Sequence, residues 1–319
     1  MELLGGLLII GGLMVALLTS GRGKAEPDES ATTFGSASWL EITDALVRGM
    51  FRRKGILIGD WVGLLPTHYD DTHALTIGPS GSGKSTTAIV PNLLGTRFAF
   101  GIDPGGENTA IAIKAWEAQG FDVRVINPMG LHADKPWGLR QDGFEIFEFL
   151  DPDDPQFAAL TEMFADLLTP RTGGEQGSSQ FFKDAAQAAK QMEIMHIRTA
   201  HPPEEHHLGT LYRNVNLPAD EWEKHLEAMK ANPAADGLIA AEAAALERRE
   251  AQAPEEFSAI MSTVQQDLRW LADPLVRACM KRRDVDFGAL KGVNREGKPV
   301  KGCIIMVVLP LEYVETHSA

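Results

Sequence analysis

Cysteine is nearly absent: Cys279 and Cys303 are the only two in 319 residues. So few thiols exclude a disulfide framework, and because Cys303 opens a strand-like apolar run, both read as reduced cytosolic thiols. Basic residues are also scarce. The chain has 30 Lys and Arg against 44 Asp and Glu, a formal net charge of −14, which argues against a simple basic nucleic-acid binder. DNA held in a local basic channel stays open, although Arg52-Arg53-Lys54 and Lys281-Arg282-Arg283 read as solvated faces. There is no internal repeat. Long apolar runs are limited to one, residues 3–18 (LLGGLLIIGGLMVALL), which carry no charge. A helix of that length spans about 24 Å, slightly short of the ~30 Å hydrocarbon core. A signal peptide would place positive charge before the run, whereas here Glu2 precedes it and Arg22 and Lys24 follow. The reading is a transmembrane helix over 1–19, with a linker over 20–40 and the bulk of the chain on the cytoplasmic side. A signal peptide and a buried helix are the rivals.

What the chain does have is GPSGSGKS at 78–85. Gly78, Gly83, Lys84 and Ser85 satisfy the G-x-x-x-x-G-K-[ST] pattern of a loop that holds a nucleoside triphosphate. The apolar run His73–Ile77 before it predicts a buried strand, and Thr86–Val90 after it predicts the opening of a helix. In that setting Gly78, Gly81 and Gly83 free the backbone to approach a ligand closely. The N–H groups of the loop, with Pro79, Ser80, Ser82 and Thr86 completing it, would converge on phosphates at a helix N-terminus. Lys84 would reach the β- and γ-phosphates of ATP, and the Ser85 hydroxyl would ligate Mg2+. The bland alternative is a Gly/Ser-rich turn with a chance lysine.

Composition is otherwise ordinary for a globular protein, with 44% hydrophobic and 23% charged residues. A helix is predicted around 41–50, and strands at 55–59, 98–102 and 123–126, with a helix near 107–119 between the last two. Pro91 is expected to end or kink the helix after the glycine-rich loop. Alternation of strands and helices implies an α/β fold, a parallel sheet with helices on both faces. The texture changes at Asp151-Pro152-Asp153-Asp154-Pro155. Helical patterning then runs near 156–168, 179–199, 219–231, 235–250 and 255–271, before a strand returns at 301–309. The domain reading is a nucleotide-binding part over 41–150, an all-α insertion over 151–284 and a return to the first part over 285–319.

These segments in this order resemble the coupling proteins of type IV secretion and conjugation, the TraG/TraD-like P-loop ATPases with a RecA-like sheet. The similarity is carried by FGSAS at 34–38, GILIG at 55–59, THALTIGPSGSGKST at 72–86, VPNLL at 90–94, IDPGGEN at 102–108 and VRVINP at 123–128. Gln180–Ala186 and Ser258–Pro274 resemble recurring segments of the family's all-α domain. The resemblance implies a hexameric ring at the bacterial inner membrane. Such a ring would use ATP to pass a relaxase–single-stranded DNA substrate to the channel proteins of the secretion system. It also implies that Asp103 and Glu107, in the segment similar to the family's Asp-Pro-Lys-Gly-Glu motif, lie near the nucleotide. Two departures stand out. Gly105 occupies the place of the motif's lysine, and the apolar strand ending in Asp-Glu that should follow 303–309 is not in the sequence. A second membrane helix is missing too. The chain therefore reads as roughly the first half of a coupling protein, and ATP hydrolysis by it is an open expectation. The alternatives are a nucleotide-binding, non-hydrolysing membrane scaffold and a soluble P-loop kinase. Asp103 itself could be a Walker B aspartate, a residue with the motif's own role, or part of a plain Asp-Pro-Gly-Gly turn.

Weaker clusters read as structural. His196, His201, His206 and His207 match no zinc spacing and predict an interhelical loop. Asp151, Asp153 and Asp154 lack the glycine and glutamate of an EF-hand. Trp270, beside Leu268 and Leu271, reads as core, not as a stacking platform for bases. His73 reads as a packing residue.

Overall fold

The structure is a computed structural model that describes residues 41–52, 54–61, 65–69, 73–171 and 177–316. The apolar run 3–18 and the FGSAS segment lie outside the described residues, and no described helix is long and apolar enough to cross a membrane. The chain divides into two compact units, residues 1–72 and 73–319. In the first, helix α1 (Ile42–Val47) precedes an antiparallel hairpin of β1 (Ile56–Trp61) and β2 (Leu65–Tyr69), with Ile56 opposite Tyr69. The GILIG strand is thus found and runs on to Trp61. Its partner β2 escaped the sequence because Pro66, which has no N–H to donate, interrupts a run of only five residues.

The second unit holds the parallel sheet. After the glycine-rich loop come a π turn (Ser85–Ile89), α2 (Val90–Gly95), β3 (Phe98–Ile102), α3 (Glu107–Ala118) and β4 (Asp122–Ile126). Seven helices follow: α4 (Phe157–Leu167), α5 (Ser178–Ala200), α6 (Leu208–Asn214), α7 (Ala219–Lys230), α8 (Leu238–Gln252), α9 (Pro254–Asp267) and α10 (Pro274–Cys279). Strand β5 (Cys303–Val307) and α11 (Leu311–Thr316) close the described chain. β5 lies between β3 and β4 and is parallel to both, pairing Ile305 with Phe100 on one side and Arg124 on the other. A central parallel strand is covered on both faces, so it reads as an unbroken apolar run; Cys303, Ile304, Ile305 and Met306 are all buried.

Strand alternation sends Ile304 and Met306 to one face, where Ala112, Ile113 and Trp116 of α3 cover them with Val123 and Val125. Cys303 and Ile305 face the other way and join a larger core that includes Phe147, Ile194 and Leu211. The helical segment therefore shares its core with the sheet. Its two ends meet at Gly143: the Gly143 carbonyl accepts from the N–H groups of Asp284 and Val285, and its N–H donates to Asp284 Oδ2 (3.0 Å). A side chain there would place its first carbon 2.2 Å from the Cys279 carbonyl oxygen, so only glycine fits. Between 151 and 284 the described residues form helices and turns and no strand, as the patterning predicted. The two segments singled out within it are joined directly. Lys183 and Lys190 both donate to Asp267 (2.7 Å each), and Lys190 also donates to the Leu168 carbonyl (2.7 Å).

Two expectations fail. His73, read as a packing residue, is exposed. His73–Ile77 is not a buried strand: no described strand pairs with it, and Leu75 and Ile77 are each 85% exposed. An apolar run becomes a strand only where a neighbour takes its backbone groups, and sequence pattern alone cannot supply that neighbour. Pro91 does not end the helix: it stands at the second residue of α2, directly after the π turn. The backbone passes through the π turn, with Val90 N–H bonded to Ser85 O, before resuming as α2.

Both cysteines are free and buried, and burial pushes each thiol up to about 11. Thiolate is the reactive form, so at pH 8 the native protein should leave a chromogenic thiol reagent unreacted, and both thiols should titrate once denaturant is added. Rapid reaction of the folded protein would contradict this packing.

Candidate nucleotide-binding site

Gly81 and Gly83 adopt left-handed backbone angles (φ +75° and +84°), which allow the loop to double back on itself. Gly78 closes against Ser82, whose Oγ lies 2.7 Å from where a Cβ would stand. Inside this curl Lys84 folds its amine onto the loop's own backbone, donating to Gly78 O (2.6 Å) and Pro79 O (2.8 Å). The ammonium thus already points at the concavity of the loop. Two hydroxyls brace the first turn of the helix: Thr86 and Thr87 both donate to Gly83 O (3.0 and 2.8 Å). The half-buried Ser85 hydroxyl has no hydrogen-bond partner among the described residues, which leaves it available to a ligand. Asn92 donates to Ala88 O (2.7 Å), tying α2 back to the π turn. α2 is then seated on α3 by the fully buried Trp116, whose indole N–H donates to Leu93 O (2.9 Å).

Asp103 ends β3 and is almost wholly buried. Its Oδ2 accepts from the Thr109 N–H (2.8 Å) and hydroxyl (2.7 Å), and its Oδ1 accepts from Asn108 Nδ2 (2.8 Å). These bonds satisfy donors at the start of α3 that the helix cannot satisfy itself. A kinase layout would need this carboxylate at the metal, whereas here both oxygens are committed to α3. The turn that follows uses two left-handed glycines. Gly106 (φ +71°) has no room for a Cβ, which would stand 2.8 Å from Val308 Cγ1, while Gly105 (φ +92°) faces open space. A lysine at Gly105 would meet no clash but would carry backbone strain of ~1–2 kcal/mol. Glu107 lies exposed in the first turn of α3.

The turn is held from the far side by His132, whose Nε2 lies 2.9 Å from Gly105 O. His132 stands on the loop after β4, braced by the buried Asn127, which donates to Leu131 O and accepts from Leu131 N–H (2.9 and 2.8 Å). The strand-terminal Asn-Pro therefore has a structural use that its spacing did not disclose. Asp103 and Asn127 both sit at the carboxyl ends of parallel strands, the side of such sheets where ligands bind. No hydrogen bond or ion pair joins Gly78–Thr86 to Asp103 or Glu107 among the described residues; the two groups connect through α2 and Trp116.

The remaining clusters divide. Asp151 and Asp154 accept from the N–H groups of Asp153 and Gln156, forming turns that lead into α4. Trp270 packs on the large core with Leu268 and Leu271. Arg282 pairs with Asp284 (2.7 Å), and Arg283 lies 3.4 Å from Glu145, a buried carboxyl that desolvation raises to about 7. His206 lies between Arg198 (2.5 Å) and the His201 carbonyl (2.8 Å). The Nδ1 of His207 caps α6, accepting from Thr210 N–H (3.0 Å). His196 and His201 separate from these two and meet His225 of α7 instead.

Compared with known proteins, residues 29–318 match a family described as Type IV secretory system Conjugative DNA transfer. The Protein VirD4 of Rhizobium radiobacter is 26% identical over 153 residues, which cover 45% of this chain and 22% of that protein. The match thus spans about a fifth of the length of that relative.

Two outcomes follow from the geometry. Asp103→Asn places an amide N–H2 against groups that themselves donate, and should cost about 1–3 kcal/mol in urea unfolding. No change would mean that the carboxylate is not clamping α3. His207 has its pKa lowered to about 4, chiefly by burial, so its neutral cap contributes stability above the ordinary histidine value that is lost as pH falls toward 4. His207→Asn keeps a side-chain acceptor but cannot titrate, so its urea midpoint should fall less than the parent's on acidification from pH 7 to pH 4.5. Parallel curves would refute the assignment.

Proposed function

The chain belongs to the type IV secretory system conjugative DNA transfer family, and from that premise we propose that it is an ATP-binding coupling protein of such a system. In this reading the 3–18 run anchors it in the bacterial inner membrane and the rest is cytoplasmic. Copies assemble into a ring, taken as a hexamer. The ring couples ATP use to delivery of a relaxase-bound single strand to the secretion channel, with the helical segment meeting that substrate.

The observation that carries the nucleotide part is the posture of Lys84. Its ammonium is held by two carbonyls of its own loop, so phosphate oxygens would exchange one set of acceptors for another without uncovering a buried charge. Lys84 would then grip the β- and γ-phosphates, the loop N–H groups would line the phosphate chain, and Ser85 would hold Mg2+ through its free hydroxyl. Mg2+, when bound, neutralises charge on the transferring phosphoryl group. Glu107, exposed at the head of α3, is the carboxylate proposed to sense the nucleotide.

A second reading, nucleotide binding without turnover, has one observation in its favour: the Asp103 carboxylate is spent on α3. Steady-state ATP turnover by the purified chain, alone and mixed with a full-length relative, separates the two. Turnover by the isolated chain would defeat the second.

Lys84→Ala should weaken binding of a fluorescent ATP analogue by at least ~30-fold, the effect of removing one partner from a charge-assisted contact. Its circular dichroism should be unchanged, since the lysine bonds only to its own loop. Undiminished affinity would remove the site assignment.

A further inference from the structure

Three imidazoles converge at the C-terminal end of α5. His196 lies in its last turn and is buried, His201 caps it, and His225 reaches in from α7. One ring nitrogen from each lies within 4.8 Å of the other two, and the rings meet edge to face at 5.3–6.2 Å between centroids. Each ring also has one nitrogen engaged by a neighbour. The buried Glu193 carboxylate takes the Nε2–H of His225 (2.8 and 3.0 Å), and Glu205 takes the Nδ1–H of His201 (2.7 Å). Asn232 has its oxygen fixed by the Ala234 N–H (3.0 Å), so its amide nitrogen faces His196 Nδ1 (3.1 Å). The nitrogens left over, His225 Nδ1, His201 Nε2 and His196 Nε2, have no hydrogen-bond partner among the described residues.

We propose that His196, His201 and His225 bind one divalent transition-metal ion of the zinc type, with a fourth position open to water. Neutral imidazoles suit Zn2+ and its neighbours in the series. A carboxylate behind a ligating histidine fixes its tautomer and raises its basicity, and two of the three rings have one. Glu193 offsets part of the charge of a dication, while the charge of Glu205 is shared with Arg213 (2.8 Å). Bonds of 2.0–2.1 Å set tetrahedral nitrogens about 3.4 Å apart, so the rings close inward on binding. His201 and its partner Glu205 are partly exposed and give both the freedom and the entry path. At His196 the proton moves from Nε2 to Nδ1, and the Asn232 amide must turn over to accept it, giving up its bonds to the Ala234 N–H and the Thr199 hydroxyl oxygen. The ion would staple the end of α5 to α7, 24 residues further along the chain from His201 to His225.

Titration of the metal-stripped full chain in detergent with Co2+ should give one saturable equivalent and the visible absorption of a four-coordinate ion, displaced by Zn2+. Glu205→Gln should weaken binding by ~10–100-fold, the range for such supporting carboxylates. His201→Ala should lose at least as much, while His207→Asn should titrate like the parent. Circular dichroism of each variant checks folding, and Glu205→Gln keeps the comparison alive if His201→Ala does not fold. The other occupant of matching geometry is a single water that accepts from His196 and donates to the other two rings. Absence of saturable Co2+ binding, or equal binding by the parent and both site variants, would overturn the proposal in favour of that water.

Discussion

The placement of β5 between β3 and β4 is the constraint from which the rest of the 73–319 unit follows. Consecutive strands β3 and β4, joined by α3, leave a gap that only a strand some 177 residues after β4 begins its exit can fill, counting from Ile126 to Cys303. Everything between must leave the sheet and return to it. That is why the chain entering the helical segment and the chain leaving it are bonded at Gly143, Asp284 and Val285, and why no side chain is tolerated at Gly143. Burial of β5 on both faces, with α3 on one side and the helical core on the other, makes the strand a poor place for any polar residue. Its one thiol, Cys303, is there as a small apolar group.

Within the helical segment the buried Asp267 is held between Lys183 and Lys190. A fully buried lysine is costly to desolvate, and burial lowers Lys190 to about 8 even with Asp267 opposing the shift. Such a network adds little net stability compared with well-packed apolar residues, but leaving either charge alone would be strongly unfavourable. Its geometric effect is to fix the register of α5 against α9 and, through the Leu168 carbonyl, the end of α4. The buried Glu193 has the same character one turn further along α5, where His225 and Asn214 hold its charge.

The contrast between what the sequence discloses and what it conceals follows from how local each feature is. Helices α4, α5, α7, α8 and α9 fall within a few residues of their predicted places because amphipathic periodicity is written along the element itself. α6 and α10, at seven and six residues, are too short to show a period, and they depend on the His207 and Asp273 caps. The glycine-rich loop is legible for the same reason as the long helices, since every bond that shapes it lies within a dozen residues. The strand expected before it was not, because a strand is a relation between two segments. Asp103 could be read three ways from its neighbours, and its bonds to Asn108 and Thr109 add a use that none of them discloses, the clamp on α3.

The two polar assemblies of this unit differ on that same axis. Lys84 is parked on carbonyls five and six residues away, so the loop is self-satisfied and its charge is solvated by its own backbone. Nothing distant has to fold first for the loop to hold its shape, which is how a short motif can act as a reliable signature. The histidine cluster has the opposite construction. Neither His196 nor His201 is informative without His225, and His225 is brought in only because α7 packs where Glu193 can take its N–H. The four-histidine run that catches the eye in the sequence is broken up by this packing: His206 is used to accept from Arg198 and His207 to cap a helix, and the functional candidate is made from two of the run plus a residue the run does not contain. Residue spacing therefore misjudges such a site in both directions, counting ligands that are spent elsewhere and omitting the one that a neighbouring helix supplies.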